Sequence, residues 1–305
     1  MSKTFSVLLY AIVLISFFSC KEEEVEYSSN SCKANPAFIQ ALGFNPKHSF
    51  FSTSDDKIMG LVLRETERPG DPNARILKTY QHPTWKTGGW LAPILLDEYG
   101  NIYTSPAPFI NIWNNPIKNN NTIYKVDSQT GVMEIFLQLP NADSINTQNP
   151  FGIIGMAYLC DPGVLYVSSV AGSNRKQEKG HIYCIDTKSK KIIDQLDNID
   201  AMGMGISYIT GKRELYFGTG RNSDVNAITL LADGKFDGKS RHVFSLLNLG
   251  PRGDDKVRKI ITRTDGNLMI MGMEFNYNLI APREKQETAY NFLYDEVNKK
   301  WNYVP

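Results

Sequence analysis

The chain has 305 residues, with 33 basic and 32 acidic side chains, which gives a formal net charge of +1 at pH 7. A balanced chain without a basic block has no electrostatic reason to bind nucleic acid or anionic lipid, so neither is expected as a direct partner. The length suits either two domains or one large all-β domain.

The N-terminus predicts export. Lys3 precedes an uncharged apolar run over residues 5–18, and residues 17–20 read Phe-Phe-Ser-Cys. As a helix, this run would be about 21 Å long, which is shorter than a hydrocarbon core of about 30 Å. It therefore predicts a signal peptide over residues 1–19 rather than a spanning helix.

Residues 17–20 resemble the lipobox of bacterial lipoproteins. The resemblance implies cleavage after Ser19 and attachment of lipid to Cys20, so that the protein reaches a membrane through its anchor. Phe17 and Phe18 depart from the commoner pattern of Leu followed by a small residue. The alternative is a plain secretory signal in which Cys20 is an ordinary thiol.

Residues 20–35 predict a flexible tether because they are acidic at first and then rich in Ser and Asn. The run Lys-Glu-Glu-Glu after Cys20 resembles the surface-export signal of Bacteroidota lipoproteins, which implies an outer-membrane location facing the cell exterior. The alternative is a solvated linker in the periplasm. With Cys20 acylated, Cys32, Cys160 and Cys184 allow at most one disulfide, and the sequence leaves its pairing open.

Residues 36–305 contain one unit in several copies. The clearest copy spans residues 92–139 and predicts four short strands joined by turns at 98–100 and 128–131. Further copies follow over 153–196, 205–246 and 259–304. The second strands carry equivalent residues at Tyr103, Tyr166, Tyr216 and Met269. Repeats of about 40 to 50 residues, each made of four short strands, predict an all-β protein with a single β-propeller of antiparallel blades.

An incomplete copy lies upstream, with predicted strands at 49–53, 58–63 and 75–80, and a strand near residues 38–42 would complete it. Five copies are therefore visible, and the length leaves room for a sixth. A β-sandwich is the alternative, but it would not explain the fixed period.

The blades resemble those of the NHL and SMP-30/gluconolactonase group. The matching motifs are Asp-Glu-Tyr-Gly-Asn-Ile-Tyr at 97–103 and Ile-Tyr-Lys-Val-Asp at 123–127. The resemblance covers most of residues 92–305 and implies a propeller. Because propeller blades serve unrelated functions, it identifies no activity by itself.

Loop lengths predict a binding face. The connections between the first and second strands, and between the third and fourth, are tight turns, whereas those between the second and third are long. Long loops gathered on one rim of a rigid scaffold are typical of binding surfaces. The candidates on this face are aromatic, Arg and Asn side chains: Trp85, Trp90, Trp113, Arg175, Arg221, Asn222, Tyr277 and Arg283.

The channel mouth should be lined where first strands begin, which adds Asn149 and Asp254 as candidates. In SMP-30-like lactonases a divalent metal such as calcium is held there by a Glu, an Asn and an Asp, and the metal polarises the lactone carbonyl and activates water. Asn149 matches one of these positions. However, Met202 and Met204 lie where a carboxylate would be needed, so a metal is expected only under this lactonase alternative.

No catalytic residues are predicted. Asp143-Ser144-Ile145 resembles the O-glycosylation site of exported Bacteroidota proteins, which makes Ser144 a candidate modification site. We expect a non-enzymatic propeller that acts as an accessory or binding subunit of an integral outer-membrane protein. The alternatives are capture of a glycan or peptide for an outer-membrane transporter, and metal-dependent lactone hydrolysis.

Overall fold

The computed structural model describes residues 32–55, 57–107, 113–140, 149–277 and 287–305. These residues form five antiparallel sheets in chain order, one with three strands and four with four strands. Each four-stranded sheet is a simple meander in which neighbouring strands follow one another in sequence. The chain is a five-bladed β-propeller, as the repeat pattern predicts.

The strands begin and end as follows. The first sheet contains β1 (Ser49–Ser52), β2 (Val62–Thr66) and β3 (Ile76–Tyr80); the second contains β4 (Leu91–Leu96), β5 (Ile102–Pro106), β6 (Thr122–Val126) and β7 (Met133–Gln138). The third contains β8 (Ile153–Leu159), β9 (Val164–Ser169), β10 (His181–Asp186) and β11 (Lys191–Asp197). The fourth contains β12 (Ala201–Ser207), β13 (Glu214–Thr219), β14 (Asp224–Leu230) and β15 (Phe236–Ser245); the fifth contains β16 (Lys256–Thr262), β17 (Leu268–Met273), β18 (Thr288–Asp295) and β19 (Lys300–Val304).

The three helical segments are short: α1 (Phe38–Ala41) and two 3₁₀ turns, Pro83–Lys86 and Ile117–Asn119. The strand predicted near residues 38–42 is wrong, because these residues form helix α1. Phe38 and Ile39 are both buried in the core between the first two blades, and a helical turn places adjacent side chains there together, whereas a strand would point them to opposite faces. Within the described residues, no helix is long and apolar enough to cross a membrane.

The repeated tyrosines join each blade to the next. The ring of Tyr103 lies 6.4 Å from that of Tyr158 in the third blade, and Tyr166 lies 5.7 Å from Phe236 in the fourth. Tyr216 packs edge-on to Trp301 in the fifth blade at 5.6 Å. All three tyrosines are buried, and full burial of a large apolar side chain contributes roughly 1.5–3 kcal/mol. The sequence period therefore reflects the packing between blades.

The connections on the two faces of the propeller differ in length as predicted in the second, third and fifth blades. In the fourth blade the predicted long connection at 220–226 is wrong, because β14 begins at Asp224 and leaves only residues 220–223 between β13 and β14. We call the side with the connections at 97–101, 160–163, 208–213 and 263–267 the turn face. The opposite side, which carries residues 113–121, 170–180, 220–223 and 274–277 of the connections between second and third strands, is the loop face. First strands lie next to one another around the axis, with β8 between β4 and β12, and β12 also against β16.

The turn motif at residues 97–101 of the second blade has a structural role. The Asp97 carboxylate is buried and accepts hydrogen bonds from the backbone N–H groups of Tyr99 (2.9 Å) and Asn101 (2.8 Å). The Asn101 side chain in turn accepts from the N–H of Ser128 at 3.1 Å, which ties the two turns of the blade together. These residues therefore maintain the turn face and do not mark a binding site.

The N-terminal segment is fixed to the turn face. Cys32 forms a disulfide with Cys160, which lies in the turn between β8 and β9. The N–H of Ala34 donates to the carbonyl oxygen of Asp97 at 3.1 Å. Residues 32–35, which the sequence assigns to the tether, thus contact the second and third blades. Cys184 is a buried free thiol.

Candidate functional site

The first strands share an irregularity near the channel mouth. In each of the first strands β4, β8, β12 and β16, the pairing with the second strand shifts register within the first four residues of the strand. Such β-bulges are common at barrel rims and next to active sites because they redirect side chains. In β16 the unpaired residue is Arg258, and burial lowers the pKa of its guanidinium although Glu287 opposes this change.

A buried carboxylate organises the loop face beside these bulges. Asp200 immediately precedes β12, and its side chain is fully buried. It accepts hydrogen bonds from the Nε of Arg221 (3.1 Å), the hydroxyl of Tyr277 (2.5 Å), the N–H of Gly180 (3.0 Å) and the hydroxyl of Ser173. One side chain therefore connects loops of the third, fourth and fifth blades.

Glycine is required where one of these loops meets Asp200. A Cβ added to Gly180 would lie 2.4 Å from the carbonyl oxygen of Ile199 and 2.5 Å from the Asp200 carboxylate. Both distances are far below van der Waals contact, so only glycine allows this close approach. Burial and the hydrogen bond to Asp200 raise the pKa of the Tyr277 hydroxyl well above its usual range, so the hydroxyl stays protonated and donates its hydrogen bond to Asp200.

The loops held by Asp200 enclose a cleft of about 270 Å³, which we call the mouth cleft. Its lining consists of three cationic residues, two aromatic residues, a glycine and an amide: Arg175, Arg221, Lys256, Phe275, Tyr277, Gly220 and Asn276. The guanidinium of Arg221 lies over the ring of Tyr277, 5.5 Å from the centroid. The Nε of Arg175 donates to the side-chain oxygen of Asn276 at 3.2 Å. The cleft can therefore receive an anionic group beside an aromatic surface.

Three of the predicted binding residues meet in this cleft, namely Arg175, Arg221 and Tyr277. Asn222 lies next to Arg221 and is exposed, and its side-chain oxygen accepts from the Thr219 hydroxyl at 2.6 Å. Trp113 is 89% exposed on the connection between β5 and β6. It is therefore available on the loop face.

Two predicted binding residues, Trp85 and Trp90, are buried and do not belong to the binding surface. The indole N–H of Trp85 donates to the carbonyl oxygen of Gly131 at 2.7 Å, and its ring packs among Phe38, Phe51 and Tyr80. A large aromatic ring at a blade junction fills the space between two sheets, which explains the position of Trp85. The backbone of Trp90 is bonded to the side chain of Asn115, at 2.9 Å through its N–H and at 2.7 Å through its carbonyl oxygen. Cys20, Ser144 and Arg283 lie outside the described residues.

The residues expected under the lactonase alternative do not fit a divalent metal. The Asn149 amide donates to the carbonyl oxygens of Val170 and Ser173, both at 2.8 Å, and its oxygen accepts from the N–H of Phe151. Asp254 is exposed at the rim. In the described part of the chain, no group of three or more His, Cys, Asp or Glu side chains is placed to hold a metal ion.

Lys256, Phe275, Asn276 and Asp200 were not among the predicted site residues. A signal for Asp200 was present, because Asp200 and Asp255 both occupy the position just before a first strand. Asp255 is likewise buried and bonds to an arginine and a tyrosine: Arg252, and Tyr290 at 2.7 Å. Recurrence of Asp at this position in two copies indicates a shared structural role.

Comparison with known proteins identifies no family for this chain. No protein-family model matches the sequence, and no curated protein matches it. Among similar solved structures, a glucose dehydrogenase is 14% identical over 79% of this chain and 76% of its own, with a TM-score of 0.39. A structure of a nidogen–laminin complex is 11% identical over 84% of this chain and 92% of its own, with a TM-score of 0.46. An exo-β-1,3-galactanase from Phanerochaete chrysosporium is 9% identical over 84% of this chain and 60% of its own, with a TM-score of 0.49. No inference about function rests on these likenesses.

Proposed function

We propose that the chain is a lipid-anchored, cell-surface β-propeller with NHL/SMP-30-like blades that acts as a non-enzymatic binding subunit of an outer-membrane protein complex. The observation that carries this proposal is the composition of the loop face. Asp200 holds Arg175, Arg221 and Tyr277 around one cleft, and Trp113 is exposed on the same face. Arginine and large aromatic side chains dominate the energetics of protein interfaces.

Two features support export. Residues 17–20 resemble the lipobox of bacterial lipoproteins, and the run Lys-Glu-Glu-Glu after Cys20 resembles the surface-export signal of Bacteroidota lipoproteins. Cys32 and Cys160 form a disulfide, and disulfides persist in oxidising compartments such as the periplasm and the cell surface rather than in the cytosol. The disulfide is independent of the signal motif, so the two observations support the location separately.

The point at which the tether enters the domain supports the loop face as the binding surface. Cys32 is joined to the turn face, on the opposite side of the propeller. The chain between Cys20 and Cys32 reaches about 40 Å at full extension. A domain anchored through its turn face keeps the loop face away from its own anchoring point and open to a partner that projects from the membrane. Anchoring also raises the effective concentration of the domain near such partners.

Affinity purification in mild detergent tests the proposal. We expect one integral outer-membrane protein to co-purify with the full chain in a stoichiometric amount, and we expect Cys20→Ser to abolish both metabolic labelling with palmitate and membrane fractionation. A wild-type protein that carries no lipid, or that is recovered without any membrane partner under conditions that preserve other complexes, would contradict the proposal.

The second candidate is capture of a glycan or peptide for an outer-membrane transporter. The mouth cleft favours it, because a concave site with several convergent polar groups and an aromatic wall is typical of ligand binding. The two candidates differ in what is recovered: a bound saccharide or peptide on a monomeric chain supports capture, whereas a stoichiometric membrane protein supports docking.

A further inference from the structure

The cations of the mouth cleft are not equally neutralised. Arg221 pairs with Asp200 at 3.1 Å and with Glu178 at 3.4 Å. Arg175 is exposed, and within the described ranges its terminal guanidinium nitrogens have neither a hydrogen-bond partner nor an ion pair. Its Nε bond to Asn276 fixes one edge of the planar group and leaves the other edge open.

Lys256 supplies a second cation whose charge is poorly compensated. Its side chain is only 14% exposed, and its Nζ donates to the carbonyl oxygen of Asp254 at 2.5 Å. The Asp254 carboxylate lies 3.7 Å from Nζ and is 68% exposed, so solvent screens that pair strongly. Arg175 and Lys256 together therefore give the cleft a positive wall that favours an anion.

The remaining wall is aromatic. The ring of Phe275 packs 5.6 Å from that of Phe151 and 5.2 Å from that of Tyr277. Phe151 and Phe275 are both half-buried, so part of each ring remains accessible. Gly220 leaves room for Phe275, because an added Cβ would approach that ring to 3.1 Å. An apolar group entering the cleft would cover these rings and gain by their removal from water.

The neutral hydrogen-bonding capacity of the lining is small. Among the described lining residues, Asn276 is the one side-chain amide, and its oxygen already accepts from Arg175. The Tyr277 hydroxyl is engaged by Asp200. A saccharide carries many hydroxyl groups that need partners when they are removed from water, whereas a carboxylate on an apolar group requires only the positive wall and the rings.

We propose that the mouth cleft binds an organic carboxylate attached to an apolar group, the chemistry found at the C-terminus of a peptide that ends in an apolar residue. The open edge of Arg175 matches the two oxygens of a carboxylate, and Lys256 adds a point charge. The inference rests on the proposed binding function and names the group that the loop face recognises in a protein or peptide.

Calorimetric titration of the full-length chain in detergent tests the chemistry with three probes: N-acetyl-Gly-Gly-Phe as the free acid, the same peptide as its C-terminal amide, and glucuronic acid. We expect the free acid to bind about tenfold or more tightly than the amide, since the amide lacks the charge-assisted hydrogen bonds. Equal binding of acid and amide, no binding of the acid, or preferential binding of glucuronic acid would overturn the inference.

A matched pair of variants in one loop tests the position. Arg175→Ala should weaken binding of the free acid about tenfold, and Arg175→Lys should restore part of the affinity. Lys176→Ala removes the same charge from the adjacent exposed position, which does not line the cleft, and should change affinity less than about twofold. Equal effects of Arg175→Ala and Lys176→Ala, at equal thermal stability, would place the site elsewhere.

The outcome also separates this inference from the proposed function. If the wild-type chain does not bind the free-acid peptide but does co-purify with the membrane partner, the carboxylate site is refuted and the docking role stands. If the wild-type chain binds the free-acid peptide but no membrane partner co-purifies, the docking role is refuted and the carboxylate site is supported.

Discussion

Replacement of Asp200 by alanine should be the most destabilising single change on the loop face. The carboxylate is fully buried and accepts hydrogen bonds from Arg221, Tyr277, Gly180 and Ser173. Its removal leaves the guanidinium of Arg221 with Glu178 at 3.4 Å as its nearest carboxylate. Removing one partner of a buried ion pair costs about 3–5 kcal/mol, and the partly exposed Glu178 compensates the charge of Arg221 only in part.

For a domain of this size, such a loss corresponds to a fall in melting temperature of roughly 6–12 °C. Urea denaturation followed by tryptophan fluorescence, without reductant, would measure the free energy of unfolding. Asp254→Ala is the matched control, since its carboxylate is exposed, and it should change the free energy by no more than about 0.5 kcal/mol. A loss below about 1 kcal/mol for Asp200→Ala would refute the view that Asp200 holds the three loops together.

Three further predictions concern other parts of the propeller. Burial opposes ionisation of Asp255, but the hydrogen bonds and charge of Arg252 outweigh it and hold the pKa of that carboxyl below its ordinary value; its stabilising contribution should therefore be present above about pH 4 and be lost as the pH falls further. Unfolding midpoints measured across this range should decline less steeply for Asp255→Asn than for wild type, and parallel declines would contradict the assignment. Burial raises the pKa of the Cys184 thiol to about 12, so iodoacetamide at pH 8 should modify it only after unfolding, as judged by intact mass, and modification of the native protein would show that the thiol is accessible. Cys32→Ser should lower the free energy of unfolding by roughly 2–5 kcal/mol, because the disulfide closes a long loop, and dithiothreitol should lower the wild-type midpoint while leaving that of the variant unchanged.

Much of the propeller is predictable because its packing repeats. Tyr103, Tyr166 and Tyr216 recur at one position since each fills the space between its own blade and the next. Helix α1 was less accessible to prediction, because a short apolar segment has no period that separates a helical turn from a strand. Its conformation depends on the core between the first two blades, into which Phe38 and Ile39 both point.

The candidate site was predictable only in part. The strand order of the repeats correctly places the connections that contain Arg175, Arg221 and Tyr277 on one face, although the connection at 220–223 is shorter than the predicted 220–226. Their assembly depends on Asp200, which is 77 residues from Tyr277 in sequence. The recurrence of Asp before two first strands indicates a structural role for it but does not indicate which loops it joins. Trp85 was predicted to lie on the binding face but is buried. An aromatic residue near a blade junction suits either a surface or a core, and only the tertiary packing decides between them.

Site-specific photo-crosslinking on intact cells tests the central claim, which is that the loop face binds an outer-membrane partner. A photoreactive phenylalanine analogue would replace Trp113, which is 89% exposed on the loop face, or Tyr99, which is 62% exposed on the turn face. The account predicts a single adduct with an integral outer-membrane protein at position 113 and none with that protein at position 99. The same adduct at position 99, with none at position 113, would contradict it.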